Sequence, residues 1–75
     1  MRESLPDPAS LRVDNKKFYF DVGQNPMGVF LRISEVKSST RTSITIPEHS
    51  WARVRDILNQ FVDTIPGNNA NNGSS

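Results

Sequence analysis

The stretch that decides the fold is KKFYFDV at residues 16–22, followed by VFLRISEV at residues 29–36. In both stretches apolar and polar side chains alternate, and successive side chains of a strand point to opposite faces of a sheet. Between them, GQNPMG at residues 23–28 contains two glycines, an asparagine and a proline, which are typical of a hairpin loop. The sequence therefore predicts two neighbouring antiparallel strands.

Two shorter strands are predicted on either side of this pair. SLRVD at residues 10–14 alternates and runs into a turn at Asp14-Asn15. SITI at residues 43–46 alternates in the same way after a polar loop at residues 37–42. Because all the connections are short, we expect antiparallel neighbours throughout the sheet.

A helix is predicted after the strands. Pro47 suits the first turn of a helix, and Pro66-Gly67 ends the pattern. Between them apolar side chains recur at three- and four-residue steps, which indicates about 18 helical residues and a length of roughly 27 Å. The predicted fold class is thus α+β, a four-stranded antiparallel sheet followed by one helix, ββββα. The apolar stripe of the helix consists of Trp51, Val54, Ile57, Leu58, Phe61, Val62 and Ile65.

The apolar face of the predicted sheet is too wide for one helix. Four strands spaced at ~4.8 Å make a sheet roughly 15–19 Å wide, whereas a helix is only ~10 Å across. Exposed apolar patches of this kind mark interaction surfaces. We therefore expect two copies to pair, with each helix stripe covering part of the other copy's sheet. The sheet residues on this face are Leu11, Val13, Phe18, Phe20, Val22, Val29, Leu31, Ile33, Ile44 and Ile46.

The opposite face mixes aromatic and basic side chains, among them Lys17, Tyr19, Phe30 and Arg32. Single-stranded nucleic acid requires this combination, because bases stack on aromatic rings at ~1–3 kcal/mol each and cations follow the phosphates. The alternative is a solvated face on which Tyr19 and Phe30 serve only as cross-strand pairing partners. The pattern leaves both interpretations open.

Composition narrows the class of protein. The chain has 75 residues, enough for one domain, and no cysteine, which favours a reducing compartment. No apolar run approaches the ~20 residues of a membrane span, and the first residues lack the apolar centre of a signal peptide. The net charge of +1 conceals an excess of +3 in residues 10–46, where the strands are predicted. We expect an extended lead-in at residues 1–9 and a disordered Asn/Gly/Ser-rich tail at residues 67–75.

Catalytic chemistry has little support in the sequence. His49 is the single histidine, and without cysteine it cannot form a conventional zinc site. No glycine-rich loop opens a helix, so no phosphate-cradling motif is implied. We therefore predict a protein that is not an enzyme and has no cofactor, metal, membrane or small-molecule partner.

The stretches at residues 10–25 and 28–36, continued by SITIP at residues 43–47 and by Trp51, resemble a PUR repeat of the purine-rich element binding protein family (Pur-alpha type). Gly23 and the spacing from Pro47 to Trp51 are most similar to the third, C-terminal repeat. The resemblance implies the Whirly-like fold of PUR repeats, completed by dimerisation, and binding of purine-rich single-stranded DNA or RNA. It also implies roles in transcription, replication and mRNA transport, in nucleus and cytoplasm.

The resemblance also implies site residues. Phe30 matches the aromatic that wedges between bases, whereas Gly23, Met27 and Val29 stand where the family has basic residues. Asn25 matches a base-binding position, although it is equally typical of a turn before proline. Because each lost phosphate contact weakens binding, we expect a homodimerisation module with weak nucleic-acid binding of its own. The alternative is a domain that binds purine-rich single strands directly. The predicted nucleic-acid-binding residues are Lys17, Tyr19, Asn25, Phe30, Arg32 and Arg41.

Overall fold

A computed structural model describes residues 4–67, in which a four-stranded antiparallel sheet is followed by one helix. The strands are neighbours in chain order, and a short 3₁₀ turn joins the last strand to the helix. This arrangement confirms the predicted ββββα fold. The predicted tail at residues 67–75 lies almost entirely outside the described residues. The elements are β1 (Ala9–Val13), β2 (Lys16–Asn25), β3 (Gly28–Lys37), β4 (Thr40–Pro47), the 3₁₀ turn (Glu48–Ser50) and α1 (Trp51–Thr64).

The strands are longer and the connections tighter than the sequence predicts. Two-residue turns link β1 to β2, β2 to β3 and β3 to β4, so the predicted loops at residues 23–28 and 37–42 are wrong in extent. Tight hairpins need backbone with positive φ, and this is supplied by Asp14 (φ 56°), Ser38 (φ 53°) and Gly28 (φ 135°). As a consequence Arg41, predicted in a loop, belongs to β4.

The helix begins later than predicted. Pro47 is the last residue of β4, with extended backbone (φ −66°, ψ 151°), and the α-helix starts only at Trp51. Its 14 residues correspond to a length of roughly 21 Å. The Trp51 indole Nε1–H donates a 2.9 Å hydrogen bond to the Ile46 carbonyl oxygen, which ties the start of the helix to the end of β4.

The strand register sorts the side chains into the two predicted faces. Directly opposite residues of antiparallel strands share a face. On the apolar face Phe20 lies opposite Ile33, which lies opposite Ile44. On the polar face Tyr19 lies opposite Ser34, which lies opposite Ser43.

Residues 4–67 contain no buried apolar side chain. The helix packs against the 3₁₀ turn that precedes it and does not lie across the sheet. Leu11 and Ile44 on the sheet are 53% and 56% exposed, and Phe61 on the helix is 58% exposed. The radius of gyration, 14.6 Å, exceeds the ~11 Å expected for a compact chain of this length. A single chain therefore leaves both of its apolar surfaces partly exposed to water.

Candidate nucleic-acid interface

The polar face of the sheet brings all six predicted binding residues to one side of the molecule. Cross-strand pairs divide it into successive rows along the strands. Tyr19 lies in a row near one end, the Asp21–Arg32 pair follows, and Phe30 and Asn25 lie toward the β2–β3 turn. The residues sharing this face are Ser10, Arg12, Lys17, Tyr19, Asp21, Gly23, Asn25, Gly28, Phe30, Arg32, Ser34, Val36, Arg41, Ser43, Thr45 and Pro47.

Tyr19 is the centre of the first cluster. The Lys17 Nζ atom lies 5.1 Å from the centroid of its ring, and the Arg41 guanidinium carbon lies 5.5 Å from the same centroid. Both distances fall within the ~6 Å over which a cation is attracted to an aromatic face. Arg41 reaches the ring because it stands on β4 and not in a loop. Two positive charges are thereby held beside one aromatic ring.

A fully buried hydroxyl lies next to this cluster. Ser34, opposite Tyr19 on β3, has no exposed surface and shares a 2.9 Å hydrogen bond with the Ser43 hydroxyl. A buried polar group is tolerated when it is hydrogen-bonded, and this bond satisfies that condition. The small Ser34 side chain thus lies at the base of the face between larger neighbours.

Arg32 is already engaged within the chain. Its Nη2 atom donates a 2.8 Å hydrogen bond to Asp21 Oδ1, and the two residues lie directly opposite each other on β2 and β3. The pair is partly exposed, so its contribution to stability is small, about 0–1 kcal/mol. A phosphate that approached Arg32 would share the guanidinium with this carboxylate. Arg32 is therefore a weaker anion partner than its position alone indicates.

Phe30 packs over Gly23, the residue opposite it on β2. A Cβ atom built on Gly23 would lie 2.6 Å from the Phe30 Cζ atom, closer than real Cβ contacts, and 3.1 Å from Cε1, which is tighter than most of them. The absence of a side chain at position 23 thus allows the ring to rest against the backbone. Comparison with the family pattern identifies Gly23 only as a missing basic residue. A glycine within a strand is the sequence signal for close approach of another group, and it could have revealed this packing.

Asn25 acts as a turn residue in this structure. Its Oδ1 atom accepts a 2.9 Å hydrogen bond from the Met27 backbone N–H. This bond occupies the amide oxygen and leaves the side-chain NH₂ as the group that could donate to a ligand. The turn interpretation of Asn25 is therefore correct for the free chain, and base binding through the NH₂ group is compatible with it.

An open pocket lies beside Phe30 at the β2–β3 turn. Its volume is about 220 Å³, below the ~300–1,000 Å³ of sites for drug-sized ligands, and it fits one flat ring better than a whole nucleotide. None of its lining side chains is charged, so it suits a base better than a phosphate. Sequence reasoning did not identify this pocket, because Thr45 and Pro47 reach it only through the register of β4. The lining residues are Asn25, Met27, Gly28, Val29, Phe30, Thr45 and Pro47.

The seven predicted interface residues of the helix differ in exposure. Ile57, Leu58, Phe61 and Ile65 are each about half exposed, from 47% to 58%. Trp51 is half-buried and bonded to its own sheet, so it anchors the helix as well as beginning the stripe. The remaining two, Val54 and Val62, are also half-buried.

Residues 4–67 offer little support for a metal site, a catalytic Ser–His pair or a membrane-spanning helix. No group of three or more acidic or histidine side chains in that range could hold a metal ion. Ser50 Oγ lies 3.4 Å from His49 Nδ1, longer than a usual hydrogen bond to a hydroxyl, on an exposed turn. No helix of the described range is both long and apolar enough to cross a bilayer.

The fold and this face define a class: a small sheet module with aromatic and basic side chains on one face and an uncovered apolar surface on the other. The family model described as "PurA ssDNA and RNA-binding protein" matches residues 1–65. The chain belongs to that family, and it is a PUR repeat.

Curated relatives agree with this assignment. "Transcriptional activator protein Pur-alpha" of Homo sapiens is 59% identical over 49 residues, covering 65% of this chain and 15% of that protein. "Transcriptional regulator protein Pur-beta" of Danio rerio is 49% identical over 61 residues, covering 81% of this chain and 20% of that protein. "Purine-rich element-binding protein gamma" of Homo sapiens is 55% identical over 49 residues. The match therefore spans 14% to 20% of the length of these relatives. All three are named as regulators or nucleic-acid-binding proteins and none as an enzyme.

Proposed function

We propose that this chain is the homodimerisation module of a single-stranded nucleic-acid-binding protein, with weak nucleic-acid binding of its own. One observation carries the proposal: residues 4–67 bury no apolar side chain, although both the sheet and the helix present an apolar surface. Burial of apolar surface is the main favourable term in folding. A partner that covers these surfaces supplies the missing term.

A second copy of the chain is the partner that fits. The helix stripe, roughly 21 Å long, matches the ~15–19 Å width of a four-stranded sheet. In a two-fold dimer each helix lies on the other copy's sheet, so two equal contacts form at once. The Trp51–Ile46 bond favours this exchange, because it fixes the first turn to its own sheet while the rest of the helix does not pack across that sheet.

Substitution of Phe61 by aspartate tests the proposal. Phe61 is 58% exposed in the single chain, so a chain that acts as a monomer should lose little stability when this residue is replaced. If Phe61 lies in a dimer interface, the same replacement should abolish association. We expect Phe61→Asp to give monomers or unfolded chain by sedimentation and circular dichroism. Asn59→Asp, which adds the same charge on the opposite side of the helix, serves as the control and should remain dimeric. A folded, monomeric wild-type chain at micromolar concentration would refute the proposal.

Direct binding of purine-rich single strands is the second candidate. It is favoured by the six predicted residues sharing one face, with Lys17 and Arg41 held beside Tyr19 and with Phe30 beside an uncharged pocket. We expect Phe30→Ala and Arg32→Ala to lower the affinity for a purine-rich oligonucleotide while the chain stays dimeric. An unchanged affinity in both variants would contradict this role for the face.

The wider setting follows the relatives and is part of the same proposal. Proteins named as transcriptional regulators indicate a role in transcription for the protein that carries this repeat, and the resemblance adds replication and mRNA transport. We further propose that it is the third, C-terminal repeat, that it acts in nucleus and cytoplasm, and that it has no catalytic activity.

A further inference from the structure

Three basic side chains line up across the polar face at the end of the sheet farther from the uncharged pocket. Arg12 on β1 lies directly opposite Lys17 on β2. Lys17 lies opposite Val36 on β3, which in turn lies opposite Arg41 on β4. We call Arg12, Lys17 and Arg41 the basic row.

This arrangement is unfavourable for the chain alone. Arg12 and Lys17 are like charges directly opposite each other on neighbouring strands, and such a pair destabilises a sheet. The Tyr19 ring offsets part of the repulsion for Lys17 and Arg41, which lie 5.1 Å and 5.5 Å from its centroid. Arg12 is exposed and faces Lys17 from the edge strand. A bound anion would relieve what remains of the repulsion.

The acidic side chains of the strands pair with cations outside the basic row. Asp21 pairs with Arg32 at 2.8 Å, farther along the polar face toward the pocket. Glu35 pairs with Lys16 at 3.1 Å on the other face. Asp14 belongs to the β1–β2 turn and has a positive φ that the tight hairpin requires. The carboxylates of Asp21 and Glu35 are thus committed to other cations.

We propose that the basic row binds the phosphodiester backbone of a single strand, and that Tyr19 keeps two of its cations together. The proposal rests on the nucleic-acid-binding part of the proposed function and adds Arg12 and a division of labour along the face. Gly23 lies six positions after Lys17 on β2, which corresponds to ~20 Å at ~3.3 Å per residue. The row therefore contacts phosphates at one end while the uncharged pocket beside Phe30 takes a base at the other.

The division of labour predicts where the salt dependence of binding arises. Each phosphate contact to a single strand contributes a slope of about −0.7 to the logarithm of affinity against the logarithm of salt concentration. Loss of a basic-row residue should flatten that slope and should weaken the binding of purine-rich and pyrimidine-rich strands to the same extent. Loss of the Phe30 ring should weaken binding at every salt concentration and leave the slope unchanged.

The test is a salt titration of a fluorescein-labelled single-stranded oligonucleotide by anisotropy, with wild-type chain, Arg12→Gln, Lys17→Gln, Phe30→Ala and the control Arg53→Gln. Arg53 is an exposed cation of the helix outside the apolar stripe, so its variant makes the same change in net charge. We expect Arg12→Gln to reduce the magnitude of the slope by about 0.7. When the salt concentration rises fourfold, the affinity of this variant should therefore fall by a factor roughly 3-fold smaller than the affinity of the wild-type chain does. Arg53→Gln should leave the slope unchanged.

Thermal unfolding of the same variants supplies an independent readout. Because Arg12→Gln removes a like-charge neighbour of Lys17, it should raise the unfolding midpoint at low salt while it weakens oligonucleotide binding. A residue with a merely structural role would lower both. Lys17→Gln repeats the slope measurement at a second position of the row.

The outcomes separate the two proposals. Wild-type binding with equal slopes in Arg12→Gln, Lys17→Gln and Arg53→Gln would overturn the basic row and leave single-strand binding intact. A wild-type chain that binds no single strand at any salt concentration would overturn both the basic row and the nucleic-acid part of the proposed function. Slopes flattened in the row variants alone support the proposal.

Discussion

The two faces of the sheet differ in the burial and the contacts that their side chains reach within one chain. The polar face contains the one fully buried side chain between residues 4 and 67, Ser34, together with an ion pair, a hydroxyl pair and an aromatic ring flanked by cations. The apolar face has no buried side chain, and Leu11 and Ile44 remain more than half exposed. The one buried side chain of the sheet thus lies on the polar face, whereas the apolar side chains of the other face are half-buried or exposed.

This difference supports the proposal that a second copy completes the core of the chain. Polar-face contacts join neighbouring strands and need no second layer. Apolar contacts need a layer stacked ~10 Å away, and the helix that could provide it does not lie across its own sheet. In the proposed function, dimerisation and nucleic-acid binding would use opposite sides of the same four strands.

Aspartate substitutions at two adjacent residues of β4 should separate the two faces by the largest difference in stability. Ile44 lies on the apolar face and Thr45 on the polar face of the same edge strand. If a second copy covers Ile44, then Ile44→Asp buries an unpaired carboxylate and should cost on the order of 3 kcal/mol in the free energy of unfolding. Thr45→Asp should cost less than about 0.5 kcal/mol.

Denaturant titration followed by circular dichroism measures both variants. Equal, small effects would show that Ile44 stays in water, as its 56% exposure in the single chain would indicate by itself. That result would contradict burial of the apolar face by a partner.

Alanine substitutions at the two glycines of the polar face should have smaller effects on stability. Gly28→Ala should cost about 2 kcal/mol in the free energy of unfolding, because alanine is strained at a φ of 135° although the space around it is open. Gly23→Ala should cost less than about 1 kcal/mol, because the contacted atoms belong to the far end of the Phe30 ring, which can swing away. Yet Gly23→Ala should displace that ring and weaken oligonucleotide binding.

Ring-current shifts in the NMR spectrum would report the movement of Phe30. Gly28→Ala should lower mainly the free energy of unfolding, whereas Gly23→Ala should lower mainly the affinity for the oligonucleotide. An unmoved ring in the Gly23→Ala variant would contradict the close packing described here.

Much of the fold could be predicted because alternation and helical period are local signals. The polar and apolar faces of β2 and β3 follow directly from the alternation at residues 16–22 and 29–36. Loop lengths were overestimated because glycine, proline and serine indicate turns without showing how few residues a turn needs. Positive φ at Ser38 let β4 begin at Thr40, which carried Arg41 onto the sheet.

Part of the candidate site could be predicted from the sequence. The contacts between residues on different strands could not. Lys17, Tyr19 and Phe30 could be grouped from single strands, whereas three features depend on the register between strands: Phe30 over Gly23, Arg12 beside Lys17, and Thr45 at the pocket. The direction of the helix could not be predicted either. An apolar stripe shows that a helix will be covered, without showing whether its own sheet or another copy's sheet will cover it.

The thermal unfolding midpoint of the wild-type chain as a function of its concentration tests whether folding is coupled to pairing, with the molecular mass measured by sedimentation equilibrium in the same samples. Folding coupled to pairing makes the midpoint depend on concentration. We predict a dimer mass at micromolar concentration and a midpoint that rises as the chain is concentrated. A monomer mass with a cooperative, concentration-independent midpoint would contradict the account.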